Sequence, residues 1–118
     1  MARKVAIASS DGVFINQHFG RAQQFQIYEL DVQRQKFVLK EVRYTEGICS
    51  QQQHQPSLLS EKVAALSDCQ MVLASRIGPG AADALLERGI EPYVVADFIE
   101  DALAKVVVFW QRQRRAFS

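Results

Sequence analysis

Halfway along this chain the spacing of apolar residues changes, and that change limits the possible folds more than any other feature. As far as Tyr44, apolar residues come in short runs or at alternate positions. From about Ser57 they fall at helical spacing, broken by two further short runs. The first run, Lys4 to Ala8, is almost wholly apolar, which predicts a central strand covered on both faces. In Phe25 to Leu30 the pattern alternates, with Phe25 and Ile27 on one face and Tyr28 and Leu30 on the other. Lys36 to Tyr44 alternates in its latter half, as a half-exposed edge strand does. Joined through the polar stretch Asp31 to Gln35, these runs predict an antiparallel meander.

The second half reads helix, strand, helix, strand, helix. A helix is predicted from about Ser57 to Leu66, with Leu58, Leu59, Val63 and Leu66 as its apolar stripe. Met71 to Ala74 is a short buried strand, and Ser75 to Gly80 a glycine-rich turn into a helix at Ala81 to Arg88. Gly89 is placed to cap that helix. Glu91 to Val95 is the last strand. Asp97 and Glu100 have the spacing of a capping box. The final helix presents Ile99, Leu103, Val106 and Trp110. Arg112 to Arg115 reads as a solvated basic tail within residues 111–118. Right-handed crossovers set strand four beside strand one. The expected fold is therefore α/β, a five-stranded mixed sheet in the order 3-2-1-4-5, with strand 2 antiparallel and helices on both faces. Phe25, Ile27, Val72, Leu73, Val94, Leu103 and Val106 are expected in one core around strand one.

The 118 residues, 48% of them hydrophobic, suit a single domain over 1–118. A net charge of +1 leaves no general footprint for nucleic acid. No apolar run approaches the roughly 20 residues that span a bilayer. The first strand follows Met1 at once, without the apolar segment of a signal peptide. Cys49 and Cys69 form no CxxC pair and read as free thiols of a reducing, cytoplasmic setting.

In the predicted topology three long connections open on one edge: Ser9 to Gln24, Thr45 to Pro56 and Ser75 to Gly80. His18, Cys49, His54 and Arg76 then share one rim, near the carboxyl ends of the parallel strands where open sheets bind ligands. His18 sits in Asn16-Gln17-His18-Phe19-Gly20, where an imidazole can ligate metal, move a proton or serve the fold. The chain has no GxSxG elbow and no HExxH or CxxC signature. Asp11 stands where a two-metal nuclease carries a carboxylate, but Asp97 is the only obvious second one, and such chemistry needs more. Gly78-Pro79-Gly80 is too short for a phosphate-binding P-loop and lacks its lysine. Cys69, ahead of a buried strand, reads as a packed core thiol.

Three stretches together carry a family resemblance: Val5 to Gly12, Asn16 to Ala22 and Phe25 to Tyr28. Asp68 to Leu73, Arg76 to Gly80 and Gly89 to Pro92 continue it in order. The chain resembles the dinitrogenase iron–molybdenum cofactor biosynthesis family, that of NifX- and NafY-like carriers and the C-terminal domain of NifB, over roughly Lys4 to Val107. The resemblance implies a ribonuclease H-like fold and a non-enzymatic role. It implies a carrier that transiently binds an iron–sulfur or iron–molybdenum cofactor precursor, taken from a cluster-synthesising donor protein and delivered to an acceptor apo-protein or scaffold. His18 matches the motif histidine and is the expected cluster contact. Cys49 is the expected second metal ligand, which His54 either replaces or assists, with Arg76 on the same rim. The other class of reading is a protein-interaction or small-anion-binding domain in which His18 is structural.

Overall fold

The structure, a computed structural model, describes residues 3–45 and 56–116. Five strands form one sheet: β1 (Arg3–Ile7), β2 (Gln24–Asp31), β3 (Lys36–Tyr44), β4 (Met71–Ala74) and β5 (Glu91–Val94). Their order is β3-β2-β1-β4-β5. β2 runs antiparallel to both β1 and β3, whereas β4 is parallel to β1 and to β5. This is the ribonuclease H-like α/β arrangement anticipated from the sequence. Among the described residues three α-helices complete it: α1 (Pro56–Ala64), α2 (Pro79–Glu87) and α3 (Ile99–Ala116).

Strand alternation divides the interior into two layers rather than the single core expected. Val5 and Ile7 of β1, with Met71 and Leu73 of β4, point to the face covered by Ile99, Leu103, Val106 and Trp110 of α3. Ala6 and Ala8 point the other way, with Val72 and Ala74, toward Val63 of α1 and Leu85 of α2. The small alanines stand on the face where Phe19 and Phe25 pack. Helices therefore cover both faces, and β1 is buried from Val5 onward.

Val94 departs from expectation, being 62% exposed. β5 ends the sheet, so residues beyond its one neighbouring strand meet solvent. The N–H groups of Glu91 and Val95 bond inward to Gln70 and Ala74 carbonyls. Pro92 thus occupies a position facing away from β4, where a missing donor costs no ladder bond and blunts the edge. β3, the opposite edge, is more open than a half-exposed strand, with Val38 and Leu39 both exposed.

Helix ends also differ in detail. α2 begins two residues early, with Gly78 as N-cap and Pro79 in the first turn, a position that lacks an intrahelical N–H partner in any case. Its far end is a Schellman turn: Gly89, at φ +75°, donates to the Leu86 carbonyl and Ile90 to that of Leu85. At α3 the cap is Phe98, whose carbonyl accepts from Ala102, while Asp97 Oδ1 accepts the Phe98 N–H instead of closing a capping box. The N–H of Ile99 goes to the Val13 carbonyl, which ties α3 to the loop after β1. α3 runs to Ala116, so Arg112 to Arg115 belong to the helix, and Arg112 is exposed on it.

Candidate functional site at the carboxyl rim of the sheet

The loop leaving β1 is built around two side chains. Ser9 is buried, and its hydroxyl accepts the Gly12 N–H at 2.9 Å and donates to Asp11 Oδ1 at 3.1 Å. That same carboxylate oxygen accepts the N–H groups of Val13 (2.9 Å) and Phe14 (3.1 Å). These backbone donors hold the Asp11 carboxyl below its ordinary value, Val13 contributing most. Asn16 closes the turn, accepting the Ser10 N–H and donating to its hydroxyl, both at 3.0 Å. Gln24, at the start of β2, donates to the Ser9 and Ser10 carbonyls.

The chain then comes back across the top of the sheet. Gln17 donates to the Ala8 carbonyl, and its own carbonyl accepts the Ser75 N–H at 3.0 Å. Phe19 donates to the Arg76 carbonyl at 2.8 Å, so His18 and Arg76 form a parallel bridge. A 3-10 turn, Phe19–Arg21, follows, with Arg21 and Ala22 both bonded to the His18 carbonyl. His18 is thus fixed through its backbone on both sides. Its imidazole is exposed and has no hydrogen-bond partner among the described residues. Phe19 is wholly buried against Phe25, ring centres 5.6 Å apart, and anchors the turn from below. Arg76 is exposed, and two residues on lies Gly78, the N-cap of α2, without a side-chain cap. An exposed imidazole, an exposed guanidinium and an open helix N-terminus therefore lie along one short stretch of rim.

The dinitrogenase iron–molybdenum cofactor family model matches residues 1–108. The chain belongs to that family. It is 35% identical over 108 residues to the FeMo cofactor biosynthesis protein NifB of Bradyrhizobium diazoefficiens, covering 92% of this chain and 21% of the relative. To the NifB of Frankia alni it is 40% identical over 104 residues, covering 86% of this chain and 20% of that protein. The chain thus spans about a fifth of the length of these relatives. Among solved structures, the crystal structure of PH0822 superposes with a TM-score of 0.67 at 21% identity, covering 88% of this chain and 89% of the other, a likeness of fold.

In this family member the rim brings together two of the four anticipated residues, His18 and Arg76. Cys49 and His54 lie outside the described residues. β3 ends at Tyr44, and the next residue, Thr45, is buried and fastened to the turn: its N–H reaches the Gln23 carbonyl and its hydroxyl the Ala22 carbonyl. Among the described residues no three His, Cys, Asp or Glu side chains converge as a metal cage. Asp11 is engaged by backbone donors, and Asp97 by the Phe98 N–H and Lys105.

Sequence reasoning did not single out Lys62. It is 1% exposed, its Nζ 5.5 Å from the Phe19 ring centre and 5.8 Å from that of Phe25. The signal was present, since Lys62 stands between Leu59 and Leu66 at helical spacing, within the apolar stripe. Arg21, exposed on the turn after His18, was also passed over. Away from the rim, Cys69 is buried, and burial first and the neighbouring Asp68 second push its thiol up to about 12. Its expected structural role agrees with that setting.

Proposed function

We propose that this chain is a non-catalytic carrier in FeMo-cofactor biosynthesis or related metal–sulfur cofactor assembly. It binds an iron–sulfur precursor cluster as cargo at the rim and hands it on. The observation that carries this reading is the backbone pairing of His18 with Arg76, two exposed residues held on one rim. Imidazole nitrogen is a suitable iron ligand. Arg76 and the open N-terminus of α2 favour a negatively charged cargo. Membership of the family and the names of its NifB relatives support the cargo class.

A preformed cluster brings its own sulfides, so few protein ligands suffice to hold it and weak holding suits delivery. Cys49 and His54 are the further ligands proposed from the sequence. A donor that makes the cluster and an acceptor apo-protein or scaffold are the partners that such a carrier requires. Anaerobic titration with an iron–sulfur cluster, followed by visible absorbance and by iron bound per chain, tests the reading. Wild-type protein is expected to load, and His18→Ala to lose most loading with an unchanged circular dichroism spectrum. Arg76 beside the uncapped helix also favours a second reading, a site for a small oxyanion alone. Phosphate binding that ignores His18→Ala, with no cluster loading, would select it.

A further inference from the structure

The outer face of α3 has no rim role, and the ring of Phe109 at its margin rests edge-on against Tyr93, ring centres 6.0 Å apart. Asp101, Ala104, Lys105, Val108, Phe109 and Arg112 are all exposed there, and Val108 is 42% open to solvent. Asp101, Lys105, Val108 and Arg112 recur at helical spacing and make one stripe along the 18-residue helix. Charge is segregated along it: the first turn is acidic, with Glu100 and Asp101, and the basic residues lie toward the other end. Among the described residues neither Asp101 nor Arg112 has an ion-pair partner, whereas Lys105 is held by Asp97 at 3.3 Å.

We infer that this stripe is a self-complementary surface on which a second copy of the chain docks, α3 antiparallel to α3. A two-fold interface sets residue i against j and j against i. Centring the axis between Lys105 and Val108 places Asp101 against Arg112 of the second copy, twice over. The same register sets the small Ala104 beside Phe109 of the second copy, and Lys105 along Val108, where its aliphatic stem covers apolar surface. Antiparallel helix dipoles add to the match. A parallel arrangement would set like charges together. One helix of about 27 Å offers less than the roughly 800 Å² per partner of a standard stable interface. The dimer is therefore weak and concentration-dependent.

Sedimentation velocity of the purified chain across a wide concentration range tests this. A reversible shift from 13.3 kDa toward twice that mass is expected. Val108→Glu should abolish the shift with circular dichroism unchanged. Arg112→Glu and Asp101→Arg should each weaken association roughly tenfold, because each broken pair counts twice. The combined Asp101→Arg/Arg112→Glu chain should restore it, since the swapped charges pair again; this variant leaves the core untouched. A monomer at every soluble concentration overturns the proposal, as does a dimer indifferent to Val108→Glu or a double variant no better than the single ones.

Discussion

His18 and Arg76 sit side by side in a parallel bridge, one in the loop after β1 and the other in the turn between β4 and α2. Neither side chain makes this contact. Backbone bonds from Phe19 to Arg76 and from Ser75 to Gln17 do. Substituting either side chain should therefore leave the bridge in place, which makes the rim suitable for mutational tests.

The anchor below the rim should behave differently. Phe19 is 0% exposed and packs on Phe25, so Phe19→Ala removes a buried aromatic from the α1/α2 layer. A loss of about 3–5 kcal/mol is expected by urea denaturation. Cluster loading should fall with it under conditions where the variant is still folded, because the turn carrying His18 loses its floor.

Leu73 tests the opposite layer. It is 2% exposed on β4, in the layer that α3 covers. Leu73→Ala should cost about 2–5 kcal/mol while leaving the rim chemistry intact in the folded protein. An unchanged denaturant midpoint would contradict the placement of β4.

Acid should weaken the fold through Asp68. Its carboxylate accepts from Arg43 at 2.7 and 3.1 Å and from Lys4 at 3.2 Å, which fastens the turn after α1 to β1 and β3. Arg43 first, then Lys4, holds the carboxyl well below the usual range. The folded state thus binds that proton less readily than the unfolded chain does. The stabilisation is complete above about pH 4 and is lost as pH falls through the lower folded value. In a pH series of urea midpoints, Asp68→Asn should be less stable than wild type near neutrality and show a shallower acid decline.

Cys69 gives the converse case at alkaline pH. With its thiol pushed up to about 12, the folded protein keeps the proton that the unfolded chain releases near 9. That contribution is present below about pH 9 and fades as pH rises toward the folded value. Near pH 8 the native thiol should resist alkylation, read at the Cys69 peptide by mass spectrometry, and react promptly in urea. Cys69→Ser should lower stability more than it lowers cluster loading.

Much of this architecture was legible in the sequence because β1 and β4 are apolar on both faces, and only central strands meet that condition. Strand order followed from crossover handedness. Val94 misled because an apolar run at a sheet end looks like a buried one, and exposure there depends on a neighbour that is missing. Lys62 escaped notice because a lysine on an amphipathic helix ordinarily marks the wet side, whereas here two aromatic rings receive its ammonium. The shared rim of His18 and Arg76 was readable from topology, but their direct pairing rests on backbone bonds that leave no periodic trace.

The most direct test of the carrier account is an anaerobic equilibrium titration of wild-type and His18→Ala protein with an iron–sulfur precursor cluster, read as visible absorbance and iron bound per chain. The account predicts saturable loading of the wild type and affinity at least about tenfold weaker for His18→Ala, with matching circular dichroism spectra. Equal loading of the two proteins would contradict it.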